Sequence, residues 1–344
     1  MKDRGCHPEP FARRHSEGAK RPKNLAQGKL HEGSGDSSPL AQNDMWEASK
    51  EEGIFLPQRV FAGLAPPYSN FQQAKIVILP IPYDSTSEWR GGARHGPQAI
   101  IDASQYLELY DLELDREIYK VGICTLPQVE PLMSSPQDMI ERVYQVIKGL
   151  IQKEKFVVML GGEHSLSLGA VRAFKETLPR LSVLQLDAHA DLRDEYLGTK
   201  YGQACVMRRI FELCPIAQVG VRSLSWEEKQ FLKQNKLMPF YMSGSASSKA
   251  SIDQIVASLS EDVYVTIDVD VLDPSIMSAV GTPEPDGMQW RQVLDIIESV
   301  ALHKHIVGFD LMEFSPGEGP SSCAFLLAKL AYKLIGCAVP QEGG

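Results

Sequence analysis

Short apolar runs alternate along most of the chain with stretches in which apolar residues return every three or four positions. Six runs read as buried strands: Lys75–Pro80 (KIVILP), Phe156–Leu160 (FVVML), Ser182–Leu186 (SVLQL), Ala217–Val221 (AQVGV), Val263–Ile267 (VYVTI) and Ile306–Leu311 (IVGFDL). Tyr119–Cys124 and Met238–Met242 are weaker strand candidates. The runs are almost continuously apolar, as expected where both faces of a parallel strand are covered. Between them lie amphipathic helices. One starts with Ser135 as N-cap and Pro136 at the first helical position, and Met139, Ile140, Val143, Ile147, Leu150 and Ile151 form its apolar stripe. Ser225 with Glu228 has the spacing of a capping box, and a last helix runs from about Ser322 to Ile335 and stops at Gly336. There is no internal repeat. The alternation predicts a three-layer α/β/α fold with a mostly parallel sheet of about eight strands, within a single domain over residues 45–344.

The first 44 residues break this pattern. They are rich in Lys, Arg, His, Pro, Gly and Ser and carry no apolar period, which predicts a disordered tail or a mis-assigned start with Met45 as the natural first residue. Composition narrows the class. The balance of 35 basic and 44 acidic residues, with no basic stripe in the body of the chain, argues against a nucleic-acid partner. No apolar run approaches the ~20 residues that span a bilayer, and no apolar leader follows Met1, so the expectation is a soluble cytoplasmic protein without a membrane partner. The 6 cysteines show no CxxC spacing, which speaks against a zinc ribbon or a disulfide scaffold.

The chemistry lies where the strands end. In open α/β sheets ligands bind beyond the carboxyl ends of the strands. There the sequence reads Gly161-Gly162-Glu163-His164-Ser165, Asp187-Ala188-His189-Ala190-Asp191, Asp268-Val269-Asp270 and Met312-Glu313-Phe314. A lone His after two glycines is by itself an ordinary loop residue. Asp-x-His-x-Asp is different, because alternate positions share a face in extended chain and crowd two carboxylates around an imidazole. Without a cation such charges repel and drive carboxylate pKa values up. Asp268 and Asp270 repeat the pattern. An oxygen-rich set with two imidazoles and no thiolate suits divalent manganese. Six ligands around one ion would leave no open position, so two ions sharing carboxylates fit better.

GGEHS, DAHAD, DVDVLDP and the later GTPEP together resemble the signature set of the ureohydrolase (arginase/agmatinase) family, and DLRDEYLGTKY and CVMRRI are most similar to its agmatinase branch. The resemblance spans roughly Ile76 to Gly336. It implies an arginase-like fold and two Mn2+ per chain. Asp187 and Asp268 would bridge the ions, His164 and Asp191 would complete one, and His189 and Asp270 the other. It also implies a small cationic guanidino substrate paired with Glu313, hydrolysis to urea and an amine, and a homo-oligomer, trimer or hexamer. Agmatine, giving putrescine, is the leading substrate; guanidinobutyrate, guanidine and arginine are the alternatives. Asp194 and Glu195 would make the rim acidic and suit a cationic tail. Gly91–Pro97 resembles the family's rim segment, and Asp273-Pro274 a turn after the metal strand. One position departs. Where the agmatinase branch has a proton-shuttling His before Ala-Cys, this chain has Gln203, which hydrogen-bonds but does not titrate between pH 5 and 8. That opens a further reading, a metal-binding member with little activity.

Overall fold

The structure, a computed structural model, describes residues 59–339 apart from residue 88 and residues 241–248. The expected tail and the start at Met45 lie outside the described residues. In chain order the regular elements are β1 (Ile76–Pro80), α1 (Gly96–Ser104), β2 (Tyr110–Asp111), β3 (Arg116–Glu117), β4 (Ile123–Thr125), α2 (Pro136–Ile151), β5 (Phe156–Leu160), α3 (Ser167–Thr177), β6 (Leu181–Leu186), α4 (Val206–Phe211), β7 (Ile216–Val219), α5 (Trp226–Gln234), α6 (Lys249–Ser258), β8 (Asp262–Asp268), α7 (Trp290–His303), β9 (His305–Met312) and α8 (Ser322–Ala338). β2 and β3 pair as a small antiparallel ribbon. The other described strands form one sheet of seven in the order β4-β1-β5-β9-β8-β6-β7, every pairing parallel.

Strand alternation sorts the core onto two faces. Ile76, Ile78, Val158, Leu160, Leu184, Leu186, Val263, Val265 and Ile267 point to one side, where they pack against apolar residues of α1, α6, α7 and α8. Val77, Leu79, Val157, Met159, Leu181, Val183 and Tyr264 point to the other, against α2, α3, α4 and α5. Both faces of the sheet are therefore covered, which is why its strands read as continuous apolar runs rather than as alternation. The predicted caps are present: Ser135 Oγ accepts from Asp138 N at 3.1 Å, and Ser225 and Glu228 close a capping box.

Three boundaries differ from the sequence expectation. Among the described residues, Met238–Met242 adds only a parallel bridge from Phe240 to Val219; Tyr241 and Met242 lie outside them. In the stretch Tyr119–Cys124, Ile118–Val121 form a 3-10 turn and the strand begins at Ile123, after Gly122 turns the chain at φ +77°. The last helix passes through Gly336 to Ala338. Gly336 serves close packing instead of termination, since a Cβ there would lie 2.5 Å from Ile118 Cδ1 and 2.6 Å from Leu114 Cδ1. Among the described residues no helix is long and apolar enough to cross a membrane.

Candidate metal centre

Four neighbouring strands, β5-β9-β8-β6, bring their carboxyl ends to one edge of the sheet. Each delivers one of the acidic or histidine motifs. At the end of β5 the chain must pass beneath Tyr83, and a Cβ on Gly162 would sit 1.8 Å from the Tyr83 carbonyl oxygen. The glycine lets the turn bend tightly enough to bury His164 completely. After β6 the chain runs through Asp187 and His189 to Asp191, which takes a positive φ of 52° and turns its carboxylate back toward His164. β8 ends in Asp268, whose Oδ1 accepts from Asp270 N at 3.0 Å and closes a 3-10 turn.

His164 Nδ1 lies 3.1 Å from Asp187 Oδ2, 3.2 Å from Asp191 Oδ2 and 3.5 Å from Asp268 Oδ2. His189 Nδ1 lies 2.9 Å from Asp270 Oδ2 and 3.7 Å from Asp187 Oδ1. Two sets of ligand atoms result, His164-Asp187-Asp191 and Asp187-His189-Asp270, and Asp187 belongs to both. The fold thus brings all six side chains expected as metal ligands into one cluster.

Its electrostatics are those of a site built around positive charge. Burial, and then the charges of Asp191 and Asp270, push Asp187 up to about 7, with His164 opposing. Burial, Asp270 and Asp187 push Asp268 well above the carboxylate range. Burial alone would lower the two imidazoles. Asp187, Asp191 and Asp268 nevertheless hold His164 well above its ordinary value, and Asp270 with the other carboxylates raises His189 to about 11. Burial works against Asp270, but His189 holds it below its ordinary value. Four buried carboxylates around two imidazoles take up protons unless cations take their place. His164 Nδ1 also makes no aligned hydrogen bond despite its three near carboxylates, which fits a lone pair directed at an ion. The donor set, oxygen-rich with two imidazoles, matches a pair of divalent metals.

Beneath the ligands lies a row of polar residues that the apolar strands concealed. Gln218, Gln185, Thr266 and Asp310 are register partners across β7, β6, β8 and β9. Two positions further along β6 and β8, on the same face, come Asp187 and Asp268. Gln218 Nε2 donates to Gln185 Oε1 at 2.6 Å, and Gln185 Nε2 donates to Asp187 Oδ2 at 2.6 Å. His164 Nε2 lies 2.8 Å from Thr266 Oγ1, which lies 2.7 Å from Asp310 Oδ1. Tyr264 OH donates to Asp310 Oδ2 at 2.8 Å. If Thr266 donates to Asp310, its oxygen accepts the His164 Nε2 proton and leaves Nδ1 as the free ligand atom. The sequence carried its strongest signal of this row in Asp310, inside the apolar run of β9, where a buried charge demands partners.

Glu313 follows β9 with φ +64°. Its Oε1 accepts from His164 N at 2.6 Å, and burial with the nearby Glu163 carboxylate raises it well above the carboxylate range. Glu313, Gln203, His189, Asp191, Arg193, Glu228 and Asp268 are among the residues around a cavity of about 230 Å³, below the ~300–1,000 Å³ of drug-sized ligand sites and of a size for a small substrate. Gln203 opens a 3-10 turn leading into α4, and its Oε1 is buried without a hydrogen-bond partner. The acidic rim expected from Asp194 is absent as a free charge, because Asp194 pairs with Arg209 at 2.6 Å and Lys200 at 3.4 Å. Acidity reaches the cavity through Asp191, Glu228, Asp268 and Glu313 instead. The segment Gly91–Pro97 forms a turn anchored by Asp84, which accepts from Gly92 N at 2.8 Å, from Arg94 N at 3.2 Å and from the Arg94 side chain. Asp273 also builds a turn, accepting from Ser275 N and Gly287 N, each at 3.0 Å.

The model of the arginase family matches residues 74–337. The chain belongs to the arginase family. Within it, this arginase-family chain is 37% identical over 276 residues to the N(1)-aminopropylagmatine ureohydrolase of Synechocystis sp., covering 78% of this chain and 90% of that protein. It is 36% identical over 273 residues to the agmatinase of Pyrococcus horikoshii, covering 78% and 94%. Among solved structures, the agmatine ureohydrolase of Thermoplasma volcanium superposes with a TM-score of 0.74 at 33% identity, over 84% of this chain and 97% of that one. Arginase from Bacillus subtilis shares the fold, with a TM-score of 0.64 at 21% identity over 76% and 98% of the two chains. The chain is thus an arginase-family ureohydrolase, an enzyme of C–N bond hydrolysis, in a family that depends on a binuclear metal centre.

Proposed function

We propose that this ureohydrolase is a manganese enzyme that hydrolyses an agmatine-type guanidine, agmatine itself or its N1-aminopropyl derivative, to urea and the corresponding amine. The observation that carries the reading is the pair of ligand sets sharing Asp187 beside a cavity into which Glu313 faces. In this reading Asp187 and Asp268 would serve both ions, with His164 and Asp191 completing the set for one and His189 and Asp270 the set for the other. The bound metals supply Lewis acidity and a water acidic enough to act near neutral pH.

The chain's own residues do the rest. Glu313 spends one oxygen on His164 N, which fixes its carboxylate and leaves the other oxygen for the N–H groups of the guanidinium. Such a charge-assisted pair orients the guanidinium carbon toward the cluster. Burial of Glu313 is offset once the cationic substrate is beside it. Gln203 offers its carboxamide to the substrate nitrogens but carries no transferable proton. The substituted nitrogen that leaves therefore takes its proton from water in the cavity. Water adds across the C–N bond, the alkylguanidinium becomes urea and an alkylammonium, and no net proton is released.

Relatives named for agmatine and for N(1)-aminopropylagmatine support the substrate class. The test is urea release by manganese-loaded protein from agmatine, N1-aminopropylagmatine, guanidinobutyrate, arginine and guanidine. Turnover of one of the first two, lost with a chelator and restored by manganese, is the expected result. Preferential turnover of arginine or guanidinobutyrate would overturn the substrate assignment. Two bound metals with no turnover of any compound would favour a non-catalytic role, for which Gln203 is the feature on record. We further propose a cytoplasmic homo-oligomer, trimer or hexamer, measurable by light scattering.

A further inference from the structure

We propose that Thr86 is a positioning residue that ties the Gln203 wall of the cavity to the turn carrying His164. Its expected effect on catalysis rests on the ureohydrolase reading above. Three chain segments meet at this one side chain. Thr86 N donates to Glu163 Oε2 at 2.6 Å, and Thr86 Oγ1 donates to Glu163 Oε1 at 2.8 Å. The same Oγ1 accepts from Gln203 N at 3.1 Å. Gly202 packs alongside, its Cβ position 3.4 Å from Thr86 Oγ1.

Each partner has a need that Thr86 meets. Glu163 is fully buried and makes no ion pair among the described residues. Its carboxylate is stabilised by N–H and O–H donors, two of them from Thr86 and one from Ser165. Gln203 N stands at the start of a helical turn, where amide groups lack intrahelical acceptors, and Gly202 has no side chain to cap it. Thr86, 117 positions away in sequence, supplies the cap. Thr86 is itself held, because Asp84 fastens its loop to Gly92 and Arg94. The consequence is geometric. Gln203 lines the cavity with its Oε1 buried and unpartnered, and the Thr86 hydroxyl fixes the backbone from which that carboxamide projects. Thr86 touches neither substrate nor ligand set in this arrangement and acts through Gln203 and Glu163.

The test compares Thr86→Val, which keeps the branched shape without the hydroxyl, with Thr86→Ser, which keeps the hydroxyl, both in full-length manganese-loaded protein. Native-state hydrogen exchange over peptides covering residues 199–206 is read first. Loss of one hydrogen bond speeds exchange of the Gln203 amide up to ~10-fold in Thr86→Val, while Thr86→Ser stays near wild type. Urea release is read second. Thr86→Val lowers kcat/KM by ~10-fold, Thr86→Ser rescues it, and in a Gln203→Ala background Thr86→Val has less than ~threefold effect because the two act together. Unchanged exchange in Thr86→Val would overturn the proposal, and so would a loss of equal size in both backgrounds. If the wild type hydrolyses no guanidino compound, that failure belongs to the functional reading, and the exchange measurement still decides the role of Thr86.

Discussion

Replacing Thr266 by Val tests whether the polar row beneath the cluster prepares the ligands. The substitution preserves shape and removes one hydroxyl that now lies 2.8 Å from His164 Nε2, 2.7 Å from Asp310 Oδ1 and 3.1 Å from Ser167 Oγ. In the variant His164 loses the partner that holds its ring orientation and tautomer. Asp310, already raised by burial against the pull of His164 and its hydroxyl donors, loses one of those donors. Loss of an outer partner of a ligating His costs ~10–100-fold in metal affinity, or about 1.4–2.7 kcal/mol. A buried polar group left unsatisfied costs a further ~1–3 kcal/mol of stability. The assay is competition of manganese against a fluorescent chelator, with melting curves of the metal-free protein alongside. Thr266→Ser is the control. It keeps the hydroxyl, so its metal affinity stays within ~threefold, while loss of a buried methyl lowers stability by ~0.8 kcal/mol. Wild-type manganese affinity in a folded Thr266→Val protein would refute the reasoning, since His164 would then be oriented without its hydroxyl partner.

Three further outcomes follow from other parts of the molecule. Asp187→Ala removes the carboxylate common to both ligand sets, so elemental analysis should find neither ion tightly bound; two ions per chain would reject the bridging role. Gln203→His places a titratable group at the cavity wall and should raise turnover on agmatine by ~10–100-fold with a new pH limb near the ~6.5 of imidazole; an unchanged rate and profile would count against that placement. Lys333→Met breaks a buried pair with Asp111, 2.7 Å apart, and should cost ~3–5 kcal/mol in chemical denaturation. Burial works against both members, yet Lys333 lowers Asp111, and Asp111 with Glu113 raises Lys333. The Asp111 contribution is therefore present above its ordinary value of 3.8 and lost as pH falls through its lower folded value. That of Lys333 is present below 10.5 and lost as pH rises through its higher one. A wild-type-minus-variant stability difference that changes between pH 5 and 9 would contradict this.

The ligand motifs were legible because each follows an apolar run, and a parallel sheet sends the ends of such runs to one edge. His164 and Asp187 could be paired from sequence on that ground alone. Thr266 and Asp310 could not. They sit inside the apolar runs of β8 and β9, and their meeting depends on register, including an irregularity between Val263 and Tyr264, which no local pattern encodes. Thr86 and Gln203 were separated by the same difficulty, being joined only by loops that fold onto the sheet edge. At the other edge, Phe240 of the apolar Met238–Phe240 run does join β7, through a bridge to Val219. Asp194 was read as free rim charge because the sequence does not show that α4 turns Arg209 toward it.

The strand order has a consequence for how the protein matures. β5 and β6, which carry His164 and Asp187, follow one another in the chain, but in the sheet β9 and β8 stand between them. A nascent chain that has emerged only as far as β7 holds two of the four motifs and lacks the strands that set them at their final spacing. Bound metal would therefore stabilise the finished sheet rather than its precursors, and ion retention would report completion of the last third of the chain. Chains that stop before Asp268 carry His164, Asp187, His189 and Asp191 but cannot close the cluster. Metal content, measured on pulse-labelled or truncated chains, would then serve as a sensor for whether synthesis and folding have run to the end.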